Sequence, residues 1–194
     1  GSLISMGALN MGLSEGELPD IVNRWRGSNR RIVDFWAAAE QHAMAAVRHG
    51  TQQYMPCGIC FGRDRDYLTV RLLSGRCLYY YKPELRLNDR GREAIHLRGM
   101  ESGKWGLLST YGGKLTENIV QATARDLLAN ALRNLCAGGY TVNFHIHDEV
   151  VLEEPEDGGR TLGEAIRLMC RLPQWAEGLP LTADGFEAHY YKKD

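Results

Sequence analysis

The stretch from Lys114 to Ala137 contains neither Gly nor Pro, and no other feature of the chain constrains the fold as strongly. Val120, Ala124, Leu127, Leu128, Ala131 and Leu135 recur at helical intervals within it, so the spacing predicts one long amphipathic helix. Lys114, Asn118, Gln121 and Arg125 fall on another face, at i, i+4, i+7 and i+11. Gly138-Gly139 stops the helix. Tyr140 to His147 then alternates, placing Val142, Phe144 and Ile146 on one side and Thr141, Asn143, His145 and His147 on the other. Val150 to Leu152 is a second short apolar strand, so Asp148-Glu149 is expected at or next to a tight hairpin turn.

The first quarter of the chain also reads as helical. Ser14-Glu15-Gly16-Glu17 has capping-box spacing, and Leu18, Ile21, Val22 and Trp25 come after it at helical intervals. Gly27-Ser28 is expected to interrupt this helix. Ile32, Phe35, Trp36, Ala39, Ala43 and Val47 trace the apolar face of a second helix that ends at His49-Gly50. The middle changes period. Tyr67 to Leu73, a Ser74-Gly75-Arg76 turn and Cys77 to Lys82 read as a hairpin, residues 84–94 as a polar loop, and Ile95 to Arg98 with Trp105 to Tyr111 as another hairpin. After a loop at Pro155 to Gly159, Thr161 to Arg171 is expected as helix and Leu181 to Ala188 as a last strand. Helices mixed with hairpins, rather than alternating singly with strands, indicate an α+β fold with an antiparallel sheet.

Composition limits the function classes. With 44% hydrophobic and 24% charged residues, the 194-residue chain has the balance of a soluble globular protein with one substantial core and room for a second lobe. A formal net charge of -1 excludes a globally basic molecule, so any nucleic-acid surface has to be a local stripe. No apolar run is long enough to span a bilayer, and no basic-then-apolar leader opens the sequence. Gly1-Ser2 could be a cloning remnant. Five cysteines, an odd number, fit reduced thiols in a cytoplasm. Cys57-Gly58-Ile59-Cys60 has the spacing of half a zinc site. Cys77, Cys136 and Cys170 are too scattered to complete it, so buried or incidental thiols are expected.

The chemistry-bearing residues lie at the hairpin. Adjacent carboxylates at a strand tip repel each other and waste strand propensity, and a divalent cation relieves that repulsion. His147-Asp148-Glu149 is therefore a candidate metal site, although Asp and Glu are also ordinary turn residues. His145 and His147 share a strand face and resemble a transition-metal pair that lacks a further ligand.

The context of that tripeptide carries a resemblance. Tyr111-Gly112-Gly113-Lys114-Leu115-Thr116-Glu117-Asn118-Ile119-Val120-Gln121-Ala122-Thr123-Ala124-Arg125-Asp126, a long helix, and then Phe144-His145-Ile146-His147-Asp148-Glu149-Val150-Val151 together resemble the C-terminal palm of family A (DNA polymerase I-like) DNA polymerases, of phage or prophage type. The clear match covers residues 105–154 and continues more weakly through Gly178-Leu179-Pro180-Leu181. The resemblance implies a palm-type antiparallel sheet with a central hairpin packed by long helices. Residues 1–50 would be the helical remainder of the fingers, 51–110 a β-rich insertion or palm-adjacent segment, and 111–194 the C-terminal half of the palm. It implies Asp148 as the second catalytic aspartate and a metal ligand, with Glu149 as a catalytic residue beside it, tuning the site or binding metal indirectly. His147 would approach the primer 3′ end, and Gln121 would check the minor groove, where every base pair offers acceptors. Lys114, Asn118 and Arg125 would be further DNA contacts. The family usually has Arg and Asn eight and four residues before the Gln, where this chain has Gly113 and Glu117.

The resemblance also implies Mg²⁺ as cofactor, primer-template DNA and dNTP as partners, and the cytoplasm of a bacterial host as location. Two-metal transfer needs carboxylates from two strands. The family's first aspartate, in an Asp-x-Ser-x-Ile-Glu-like strand, and its Lys/Tyr fingers helix have no match here; Asp66-Tyr67-Leu68 resembles that strand only superficially, with no Glu at the right distance. The fragment alone is accordingly expected to be inactive. Two other readings stay open. One is a non-catalytic nucleic-acid-binding module using the Lys114/Gln121/Arg125 face. The other is a small metal-dependent hydrolase built on His145, His147 and Asp148.

Overall fold

A computed structural model describes residues 2–88 and 91–192. Gly1 of the suspected cloning remnant therefore lies outside the described residues. The helices are α1 (Ser2–Ser5), α2 (Leu18–Ser28), α3 (Arg30–His49), α4 (Gly112–Ala137) and α5 (Leu162–Met169). The strands are β1 (Gln53–Tyr54), β2 (Cys60–Asp64), β3 (Tyr67–Arg71), β4 (Cys77–Tyr81), β5 (Glu84–Leu87), β6 (Glu93–Glu101), β7 (Lys104–Thr110), β8 (Thr141–Ile146) and β9 (Glu149–Glu153). Short 3-10 turns lie at Ala8–Met11 and Gln174–Ala176. The strands form three antiparallel sheets, ordered β1-β2-β3-β4, β5-β6-β7 and β8-β9. The fold is α+β, as expected.

α4 is the axis of the molecule. Its 26 residues make a rod of about 39 Å at 1.5 Å per residue. The N-terminal half buries Leu115, Ile119 and Ala122 in a core with Ala39, Ala43 and Val47 of α3, Phe61, Leu68 and Val70 of the first sheet, and Ile95 and Leu97 of the second. The C-terminal half sends Leu135 into a second core with Tyr140 and Ala165, against which Val142, Val150, Leu152 and Leu168 pack. Two cores on one rod explain why the expected stripe is correct only beyond Leu127. Val120 is 59% exposed and Ala124 is exposed, because α3 meets the Leu115/Ile119/Ala122 side instead.

The crossing of α3 and α4 depends on Gly112. A Cβ there would overlap the Trp36 carbonyl, and the bare backbone lets the Gly112 N–H donate to the Glu40 carboxylate at 3.1 Å.

Several boundaries differ from the sequence expectation. α2 continues through Gly27-Ser28 and breaks at Asn29, whose N–H and side-chain amide both cap the Trp25 carbonyl. The Ser14–Glu17 pair forms, with Glu17 accepting from the Ser14 N–H and hydroxyl, but it makes a turn just ahead of the helix. Those bonds hold the Glu17 carboxyl below its ordinary range. Residues 84–94 are not one loop: β5 occupies Glu84–Leu87 and pairs with β6, with Leu85 packed against the core and Leu87 exposed. Residues 89 and 90 of that segment lie outside the described residues. Leu181 to Ala188 forms no strand and has no ladder partner among the described residues. The β8-β9 hairpin is likewise not central to a larger sheet but stands as its own two-stranded sheet. Among the described residues no helix is long and apolar enough to cross a membrane.

Candidate functional site

The polar face of α4 opens onto the edge strand β4. Asn118, Gln121 and Arg125 line a groove of about 410 Å³ together with Arg76, Leu78, Tyr79, Tyr80 and Ala122. The Asn118 amide donates to the Tyr80 hydroxyl at 3.0 Å, which places it on the groove floor rather than free at the rim. Burial pushes the Tyr80 hydroxyl above its ordinary range, an effect that Asn118 and Lys114 partly offset. Gln121 stays exposed, with its amide 3.5 Å from the Glu117 carboxylate. Lys114 does not line the groove. It pairs with Glu117 at 3.1 Å, which raises its ammonium above the ordinary lysine range. One carboxylate thus engages both the lysine and the amide expected to meet DNA.

Arg76, Tyr79, Tyr80 and Asp126 are site residues that the sequence reading missed. Arg76 bonds Asp126 at 2.6 Å and the Ala122 carbonyl at 2.7 Å, and the Ser74 hydroxyl donates to the same aspartate at 2.5 Å. Asp126 is only 12% exposed, and it locks the β3–β4 turn onto α4 and holds Arg76 where it lines the groove. The Ser74-Gly75-Arg76 signal announced a turn but could not say what it lands on.

The hairpin carries the candidate metal ligands. Its register is Ile146 opposite Glu149, so the two-residue tip is His147-Asp148 and Glu149 opens β9 directly after it, which agrees with Asp148-Glu149 lying at or next to the turn. His147 sits at φ 52°, in the left-handed region that histidine enters more readily than most residues. A β-bulge between Val142 and Phe144 sets Val142 opposite Leu152 and Phe144 opposite Val151. The extra residue, Asn143, reverses the facing of the strand residues beyond it. Val142 and His145 therefore share the side toward α4, and Phe144 and Ile146 take the other. The expected grouping of Val142 with Phe144 and Ile146 is corrected on this ground. Phe144 instead meets Tyr191 of the C-terminal tail edge-on at 5.3 Å. His145, still exposed but on the side of α4, brings Nε2 to 3.3 Å from the Arg125 guanidinium and so couples the hairpin to the groove. A guanidinium at that nitrogen speaks against a tightly bound cation on His145.

The hairpin base is pinned separately. Glu154 accepts from the Thr141 N–H at 2.7 Å and from Arg160 at 2.8 Å, and these bonds hold its carboxyl below the ordinary range.

Asp148 is exposed and Glu149 half-buried, and neither carboxylate has a hydrogen-bond or ion-pair partner among the described residues. Free carboxylate oxygens are the donors that Mg²⁺ takes, one or two at a time, with water and phosphate completing its shell. The tip therefore fits a share of such a site. Among the described residues no three His, Cys, Asp or Glu side chains gather into a complete one. The five cysteines are all free thiols; Cys57 is exposed and Cys60 buried in the β1–β2 turn.

Comparison with known proteins gives one informative result. No family model and no solved structure matches the chain. The whole chain is similar to a region of a DNA polymerase of Bacillus phage SP02, 52% identical over 196 aligned residues, and it spans 30% of the length of that relative.

Proposed function

We propose that this chain is part of a template-directed DNA polymerase of family A and phage type, contributing the second catalytic aspartate and a helix that tracks the primer-template duplex. One observation carries the reading. The hairpin presents Asp148 at a two-residue tip while Arg125 of α4 reaches His145 behind it, so an unpartnered carboxylate lies next to an amide- and guanidinium-lined groove. The similarity along the whole chain to a phage DNA polymerase supports the same reading at the level of the whole protein.

In this reading Asp148 holds divalent metal and Glu149 tunes the charge beside it. Bound Mg²⁺ would supply activation of a primer hydroxyl and neutralisation of triphosphate charge. His147, fixed by the strained tip, lies against the primer end. Gln121 and Arg125, with Asn118 below them, hold the minor groove and adjoining phosphates, and Lys114 adds a further phosphate contact. The second carboxylate-bearing strand comes from elsewhere in the polymerase. The open edges of the β8-β9 sheet, unpaired among the described residues, are where such a strand can join.

In the polymerase that contains this segment, Asp148→Ala is expected to slow primer extension by about 100-fold or more, the scale of losing one group that stabilises developing charge. The 194-residue chain alone is expected to extend no primer. Extension by the purified chain, or full activity in Asp148→Ala, overturns the reading. The groove itself favours one rival, a nucleic-acid-binding module without catalysis; it predicts DNA binding indifferent to Mg²⁺ and to Asp148.

A further inference from the structure

We propose that the outward face of the four-stranded sheet, continued by Trp105 of β7, is a binding surface for single-stranded DNA. Strand alternation in Cys77-Leu78-Tyr79-Tyr80-Tyr81 turns Leu78 and Tyr80 to the core and Tyr79 and Tyr81 outward. Tyr67 stands opposite Tyr81 on the neighbouring strand and joins them. Tyr79 and Tyr67 are 5.9 Å apart, Tyr67 and Tyr81 5.4 Å, and Tyr81 and Trp105 6.3 Å between ring centroids, so four rings form an unbroken row across two sheets. Tyr79 is 61% and Trp105 59% exposed, which a row of rings serving only the core would not be.

The row ends in a cleft of about 690 Å³ where Trp105 is surrounded by Arg63, Lys82 and Arg98, with Asp66 and Glu84 as its carboxylates. Glu84 is already neutralised by Arg86 at 2.9 Å. Arg63 is anchored to the Val47 carbonyl at 3.0 Å. Lys82 lies over the Tyr81 ring at 5.5 Å, and neither it nor Arg98 has a carboxylate partner among the described residues. The local balance is positive on a chain whose net charge is -1.

Exposed aromatic rings in a row, ending among unpaired cations, are what an unpaired strand needs: faces for bases to stack on and charges for its phosphates. A duplex hides its base faces and could not use the rings. The row also continues the groove already described, because Tyr79 lines that groove as well. A strand separating from a duplex seated on Gln121 and Arg125 would pass over Tyr79, Tyr67 and Tyr81 into the Trp105 cleft. The inference rests on DNA being what this chain handles, and it assigns a second, chemically different surface for it.

The test is fluorescence anisotropy with the whole chain, using a labelled oligothymidylate of about ten nucleotides, within the span of one such surface, and a labelled blunt duplex. Tyr79→Ala and Trp105→Ala are each expected to weaken oligothymidylate binding about 5- to 100-fold, with Trp105→Phe retaining most of it and circular dichroism unchanged. Gln121→Ala is expected to weaken the duplex and leave the oligothymidylate. Parent-like oligothymidylate binding by both alanine variants, or equal loss in Trp105→Ala and Trp105→Phe, overturns the inference and makes the row a protein-packing face. Duplex binding insensitive to Gln121→Ala, with the ring effects intact, counts against the polymerase reading alone.

Discussion

At the residue scale, Glu117 is the side chain that most changes how the candidate interface is understood. Lys114 and Gln121 stand about one helical turn to either side of it, and from spacing Lys114 looks like a free phosphate contact. In the fold Glu117 holds Lys114 at 3.1 Å and approaches the Gln121 amide at 3.5 Å. Under the proposed function, DNA seated on this face would have to displace that carboxylate or be repelled by it. Glu117→Gln is therefore expected to tighten duplex binding about two- to threefold, in line with the few tenths of a kcal/mol that a surface ion pair on a helix is worth plus the lost repulsion. It should also steepen the dependence of affinity on salt by freeing a cation for phosphate. A titration at two ionic strengths checks both, and weaker binding in the variant would show that Glu117 positions Gln121 instead of competing for it. Gln121 and Arg125 were legible as one face because helix periodicity is local. Arg76 and Asp126 were not, since their 2.6 Å contact joins a turn and a helix that sequence separates widely.

At the scale of elements, the decisive features are places where one backbone approaches another. Gly112 begins α4 where α3 passes closest, and a methyl group there would meet the Trp36 carbonyl, which is backbone and cannot rotate away. Gly112→Ala is expected to destabilise the protein by about 3 kcal/mol, at the upper end of overpacking costs. Thermal denaturation beside Gly163→Ala, at a helical glycine with open space around it, separates steric overlap from the ordinary benefit of alanine in a helix. A gain at Gly112 matching that at Gly163 would mean that α3 and α4 slide apart easily. The β8 bulge works by the same kind of local geometry. Strand alternation in Tyr140 to His147 reads plainly, yet one unpaired residue reverses its second half and turns His145 toward Arg125. Nothing in the apolar pattern marks Asn143 as that residue.

For the whole molecule, α4 joins two cores that share no other long element. Leu115 is fully buried at one end and Leu135 at the other. If the helix transmits stability, the chain unfolds in one transition, and Leu115→Ala and Leu135→Ala each lower its stability by about 2–5 kcal/mol. Far-ultraviolet circular dichroism and tryptophan fluorescence should then give coincident melting curves for both variants. Two separated transitions in Leu135→Ala would show that the hairpin core folds independently.

What the sequence determined by itself is local and periodic: the long α4, its glycine stop, the hairpins, and a carboxylate pair held at a strand tip. These depend on residues within a few turns of one another, where backbone geometry and the spacing of apolar side chains suffice. Tertiary structure alone decided which side of α4 is buried, because that depends on where α3 crosses at Gly112. It also decided that the tip is His147-Asp148, that the bulge turns His145 toward Arg125, and that Tyr67, Tyr79, Tyr81 and Trp105 form one row. The buried side and the ring row require segments distant along the chain to come within a few ångströms of each other, and the tip and the bulge depend on how β8 and β9 pair, which the apolar pattern alone does not fix.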